Sequence, residues 1–150
     1  MFFTIEGAPF GKQRPRHNRR SGVTYTPRET RDRERHIVAE YRRQCGGEQI
    51  EADKYVVLHV DAYYPIPTSA TKKRREQIAA GGVYPTVKPD IDNVLKLVED
   101  ALNGVAYADD KQIVSVAARK WYSSHPRIEV WVAEMPKTEE KNGGQVLDHR

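Results

Sequence analysis

A single cysteine, Cys45, stands among 150 residues, so no disulfide can form within the chain and no cysteine knuckle can hold a metal. Long apolar runs are missing too. The hydrophobic fraction is 38%, and nothing approaches the roughly 20 apolar residues that a membrane-crossing helix needs. The first residues, Met1-Phe2-Phe3-Thr4-Ile5-Glu6-Gly7, place an acid within six positions and have no basic flank leading into an apolar stretch. They do not read as a signal peptide, and a cytoplasmic protein is expected. The five histidines (His17, His36, His59, His125 and His149) follow no ligand spacing, and no segment repeats.

What remains is a chain of one-domain size, long enough to bury a core without staples. The net charge of +4 is modest, but its distribution is uneven. Residues 11–43 hold eleven Lys/Arg against four acids, whereas residues 88–112 hold six acids against three bases. A polyanion would be drawn to the first segment and repelled by the second, unless bound divalent cations offset those acids.

Apolar and breaker patterns divide the chain. Residues 2–6 read as a strand and residues 11–22 as a Gly/Pro/Arg loop. A helix is expected from Thr26 as N-cap, with Pro27 in its first position and Glu29 completing a capping box. It runs to about Gln44 with Thr30, Glu34, Ile37, Val38 and Tyr41 on one side, and Gly46-Gly47 stops it. Tyr55 to Tyr64 is the clearest strand, stopped by Pro65 and Pro67. Residues 70–80 form a short basic helix, and a second strong helix spans about Asp90 to Asn103 before Gly104. Residues 112–122 and 126–133 alternate and read as an antiparallel pair joined at Ser123-Ser124-His125. Trp121 and Trp131 on these strands are assigned to the core or a dimer interface, and the polar stretch from Pro136 to a disordered tail. The class is α+β, one domain with a mixed sheet flanked by helices.

The helix starting at Asp90 carries chemistry. Ile91, Val94, Leu95, Val98, Ala101 and Leu102 gather within about 120° at helical periodicity. Asp92, Asn93, Lys96, Glu99, Asp100 and Asn103 take the opposite side, and Asp90 sits at the N-cap. A short connection after Gly104 returns Asp109-Asp110 toward this ridge. Crowded carboxylates repel unless a cation neutralises them. An all-oxygen donor set without His or Cys suits a hard ion, Mg²⁺ or Mn²⁺. Lys96, one turn after Asp92, adds a fixed positive charge. The plainer alternative is an Asp92–Lys96 salt bridge on a solvated face, with Asp90 only a cap and Asp109-Asp110 only a turn. An EF-hand is excluded, because Val94 and Leu95 stand where further ligands and a glycine are required. A haloacid-dehalogenase-type Asp-x-Asp motif needs a preceding buried strand, which Thr86-Val87-Lys88-Pro89 is not.

Lys88-Pro89-Asp90-Ile91-Asp92-Asn93-Val94-Leu95-Lys96, Asp100-Ala101-Leu102-Asn103-Gly104 and Asp109-Asp110-Lys111-Gln112-Ile113 together resemble the signature of the RusA Holliday junction resolvases. Gly11-Lys12-Gln13-Arg14-Pro15-Arg16, Tyr25-Thr26-Pro27 with Thr30-Arg31, and Tyr64-Pro65-Ile66-Pro67 before a basic helix extend the likeness over about residues 1–135. It is closest to the phage and prophage branch. The resemblance implies a homodimeric, Mg²⁺-dependent endonuclease of DNA recombination and repair, resolving four-way junctions by paired symmetric nicks. It assigns Asp90, Asp92 and Asp110 as metal ligands, Asp109 as an accessory and Lys96 as a functional lysine, with no organic cofactor.

Lys12, Arg14, Arg16 and Arg19, with Arg20, lie in the N-terminal loop; Lys72, Lys73 and Arg74, with Arg75, lie on the short helix. These are the candidate phosphate contacts, which would give affinity and salt dependence without sequence readout. The competing function is a catalytically silent junction-binding protein whose carboxylates only shape its surface.

Overall fold

The computed structural model describes residues 1–136. Its elements in chain order are β1 (Phe2–Glu6), β2 (Arg16–His17), β3 (Thr24–Tyr25), α1 (Arg28–Cys45), β4 (Val56–Pro65), α2 (Lys72–Ala80), α3 (Ile91–Leu102), a 3-10 turn (Asp110–Gln112), β5 (Ile113–Ser123) and β6 (Arg127–Glu134). Four strands form one mixed sheet in the order β1-β6-β4-β5, the α+β architecture expected. The tail expectation falls almost wholly outside the described residues. Among those described, no helix is long and apolar enough to cross a membrane.

Alternation explains which face is inside. Val56, Leu58, Val60, Ala62 and Tyr64 of β4, Ile128, Val130 and Val132 of β6, and Phe3 and Ile5 of β1 all point one way and are buried. Against them pack Ile37 and Tyr41 of α1 and Val94, Leu97, Val98, Ala101 and Leu102 of α3. Among the described residues, no helix packs on the other face of the sheet. Trp131 lies there beside Phe2 and His59, with ring centroids 4.8 and 4.9 Å away. Trp121 lies beside Tyr84 at 5.6 Å. Neither tryptophan is in the helix-covered core.

Three local expectations are corrected. First, β5 and β6 run in opposite directions but do not pair, because β4 lies between them, parallel to β5 and antiparallel to β6. The Ser124–Pro126 link offers no Asn-Gly or Gly-led turn to close a tight hairpin. Four Cα steps span up to about 13 Å, enough to cross two strand spacings of about 4.8 Å. β4 is buried almost throughout and takes the interior position; β5, whose Val114 and Val116 are exposed, takes the edge.

Second, residues 11–22 are not all loop. Arg16 and His17 pair with Tyr25 and Thr24 in a small hairpin. Asn18 closes it by accepting from the backbone N–H of Arg20 at 2.9 Å, and Gly22 supplies a φ of 70°. Third, α1 starts one residue later than expected, with Pro27 at the cap and no capping side chain. Glu29 is instead taken by Gln13, whose Nε2 donates to it at 2.9 Å. The C-terminal stop is as expected: Gly46 adopts φ 69° and donates its N–H to the Arg42 carbonyl.

Candidate active site

α3 is held by its apolar stripe, and the stripe fixes which side chains face outward. Asp90 occupies the N-cap position, yet its side chain accepts no capping hydrogen bond. Its carboxylate is therefore uncommitted. Tyr64, from the end of β4, donates its hydroxyl to the Pro89 carbonyl at 2.5 Å and pins the residue before it. Burial, reinforced by the Asp90 charge, pushes the Tyr64 phenol up to about 12, so it stays a donor at neutral pH. Asp92 lies exposed in the first turn.

The alternative Asp92–Lys96 pair does not form. Lys96 Nζ turns forward to Asp100 Oδ1 at 3.1 Å. Asp100 Oδ2 also takes Lys12 Nζ, which comes from a loop 88 positions away. One carboxylate between two ammonium groups attracts both, and Asp92 is left without an ion pair among the described residues. The bond to Asp100 raises the Lys96 pKa, with Glu99 and Asp110 adding smaller contributions. Lys96 is thus a permanent cation rather than a proton donor.

Lys12 reaches this point because Gly11 lies flat against α3. A Cβ at position 11 would come within 2.8 Å of Pro89 Cβ and 3.0 Å of Asn93 Cβ. The Lys12 N–H donates to the Asn93 carbonyl at 2.9 Å. On the other side of the same loop, Gln13 donates its N–H to Thr30 Oγ1 at 3.3 Å. The N-terminal basic segment is therefore clamped between the starts of α1 and α3, and Lys12 is an ion-pairing residue here rather than an outstretched phosphate contact.

The return loop brings the second acidic pair. Tyr107 is fully buried and donates its hydroxyl to the Glu99 carbonyl at 2.9 Å, tying the loop to the last turn of α3. Buried Gln112 then fixes the turn, donating to the carbonyls of Glu51 at 2.7 Å and Lys54 at 3.0 Å and accepting from the Asp109 N–H at 2.9 Å. Asp109 and Asp110 differ sharply as a result. The Asp109 side chain caps the turn, accepting from the Lys111 N–H at 2.9 Å, and this bond lowers its pKa. Asp110 accepts no such backbone bond and lies close enough to Glu99 and Lys96 for its charge to act on both.

Glu99, which sequence reading left unassigned, joins this group. Burial raises its pKa; Lys96 lowers it, while Asp100 and Asp110 raise it further. Its signal was present, since Asp92, Lys96 and Glu99 follow the i, i+4, i+7 line of one helix face.

The carboxylates do not form a closed cage. Among the described residues, no group of three or more His, Cys, Asp or Glu is arranged around one point to hold a metal. The donor chemistry nonetheless fits a hard divalent ion: Asp90, Asp92 and Asp110 offer oxygen only, and none is spent in an ion pair.

Of the candidate phosphate contacts, Arg14, Arg16 and Arg19 are exposed on and beside the β2–β3 hairpin. Lys72, Lys73 and Arg74 are exposed on α2. Arg75 folds back, donating to the carbonyls of Pro67 at 3.2 Å and Ala70 at 3.2 Å, and is structural.

A family model described as endodeoxyribonuclease RusA matches residues 6–133. The chain belongs to the RusA family. An uncharacterized protein of Bacillus subtilis (strain 168), YqaN, is 37% identical over 136 residues, covering 89% of this chain and 95% of its own length. The RusA match spans every element from α1 to β5, and with them Asp90, Asp92, Lys96 and Asp110.

Proposed function

We propose that this RusA-family chain is a Mg²⁺-dependent, homodimeric endonuclease that resolves four-way DNA junctions by paired symmetric nicks during recombination and repair. Asp90, Asp92 and Asp110 hold the ion, with Mn²⁺ as a substitute. Glu99 completes their surroundings, and Asp109 serves as the cap that positions Asp110. The observation that carries the reading is that Asp100 draws off both lysines, leaving the Asp90 and Asp92 carboxylates at the N-terminal end of a packed helix without an ion pair among the described residues.

Each group has a task. Lys96, held charged by Asp100, stabilises negative charge as it grows on the scissile phosphate. The N-terminus of α3, with its uncapped N–H groups and positive dipole end, attracts the same phosphate. A divalent cation bound by the carboxylates supplies charge neutralisation and activation of the attacking water. Arg14, Arg16 and Arg19 at the hairpin, and Lys72, Lys73 and Arg74 on α2, hold the arms through phosphate contacts. Two strands must be nicked symmetrically, and a two-fold dimer provides two such sites.

The test is cleavage of an end-labelled four-way junction against a linear duplex, with and without Mg²⁺, for wild type and Asp92→Asn. Wild type nicks only the junction and only with the ion. Asp92→Asn loses at least about a hundredfold in rate, since outer-shell losses alone cost up to that, and binds the junction no more weakly. Normal cleavage by Asp92→Asn would overturn the ligand assignment. Tight binding without nicks in either ion would establish a binding protein instead.

A further inference from the structure

One large cavity among the described residues lies outside those discussed so far as DNA contacts. It is an open groove of about 610 Å³ between α1 and α3, walled by Arg31, Arg35, Val38 and Arg42 on one side and by Asp100 and Ala101 on the other. At about 100° per residue, Arg28, Arg31, Arg35 and Arg42 fall within roughly 60° of one another, about 130° around the helix from the middle of the buried stripe of Thr30, Ile37 and Tyr41. Arg31, Arg35 and Arg42 line the groove, whereas Arg33 and Arg43 lie outside this arc. Asp32 engages Arg35 at 2.6 Å and Arg28 at 3.7 Å. Arg31 and Arg42 are exposed and make no ion pair among the described residues.

The groove ends at the site. Its Asp100 is the carboxylate that holds Lys12 and Lys96, and Lys12 also offsets Glu34, which lies in the same groove. From Arg31 to Arg42 the helix rises about 16 Å, the axial length of roughly five base pairs. Two guanidinium groups that far apart, Arg31 and Arg42, with no ion pair among the described residues and with Arg35 between them, have the form of a phosphate track.

Resting on the junction-cleaving reading, we infer that this α1–α3 groove binds the sugar–phosphate backbone of one duplex arm as it leaves the cleavage point, with Arg31 and Arg42 as its two principal contacts. Structural demand does not account for them, because both side chains are exposed and neither packs into the core.

Junction binding is measured by fluorescence anisotropy in chelator, where no cleavage occurs, from about 50 to 200 mM salt. With Arg31→Gln and Arg42→Gln combined, the slope of log K against log salt flattens by about 1.8, near 0.9 per phosphate. The thermal midpoint stays unchanged, and the Arg31→Lys, Arg42→Lys protein regains most of the slope. Arg43→Gln, outside the arc and paired with Glu40, leaves the slope as it was. An unchanged slope in the Gln pair, or an equal change in Arg43→Gln, overturns the inference. Asp92→Asn, assayed for cleavage alongside, separates the two readings. If it is inactive while the slope is unmoved, only the groove assignment falls. If it cleaves normally while the slope flattens, only the ligand assignment falls.

Discussion

α2 and α3 both follow β4 in the chain and both begin at a good cap position, Thr71 and Asp90, yet they are opposite kinds of helix. α3 buries five side chains and leaves its capping carboxylate free. α2 buries none and is held by local bonds, with Thr71 accepting from the Arg74 N–H and Arg75 folding back to the strand exit. A helix that must aim carboxylates to within a fraction of an ångström needs the core behind it. A helix that only presents positive charge does not, because counterion release depends on the number of phosphates met rather than on their geometry. Precision in this molecule is located where the packing is, and electrostatic reach is located where it is not.

That contrast can be broken by experiment. Leu97→Ala, at a site 1% exposed, should cost about 2–5 kcal/mol in a denaturant titration. Ile78→Ala on α2 should leave the midpoint essentially in place; equal losses would mean that α2 packs on something. Asp110→Asn should lower the cleavage rate about a hundredfold. Asp109→Ala should retain most activity and instead lower the melting temperature by a few degrees, having lost a cap. A reversal of those two results would exchange the roles given to the adjacent aspartates. Replacing Lys72, Lys73 and Arg74 together by Ala should flatten the salt slope of junction binding by up to about 2.7 without moving the melting temperature.

The smallest effect concerns Glu99. Its folded pKa lies above the ordinary 4.5 because of burial, so the native state holds this proton more tightly than the unfolded chain does. Its contribution to stability is fully present below pH 4.5 and is lost as pH rises through the folded value. Glu99→Gln should therefore melt at a higher temperature than wild type at neutral pH, and the gap should close on acidification below 4.5. A gap that widens there would mean that the carboxylate is stabilised rather than strained in the fold.

Much of this was legible in the residues themselves. The period of Ile91, Val94, Val98, Ala101 and Leu102 demanded a half-buried helix, and that period in turn put Asp92, Lys96 and Glu99 together on the outside. The β-branched and aromatic content of residues 55–64 likewise required a strand. Pairings that depend on the whole sheet were not legible. Nothing in Ser123-Ser124-His125 says that β4 will insert between β5 and β6, because strand order follows from which strand has most to bury. Nor could spacing reveal that Asp100 would choose Lys12, 88 positions away, or that Gln112 would divide two adjacent aspartates into a cap and a free carboxylate. These choices are made by tertiary neighbours, which no local pattern records.

β1 pairs with one strand only, and that strand is β6. A ribosome adding about 5–20 residues per second needs roughly 6–25 s to reach β6 after finishing β1. Throughout that interval β1 has no strand edge to join, and Phe3 has only Tyr41 of α1 to close against. A nascent chain interrupted before Arg127 therefore has its acidic helix but no completed sheet to hold it. Both β1 and β6 must be translated before the sheet behind the acidic helix can close.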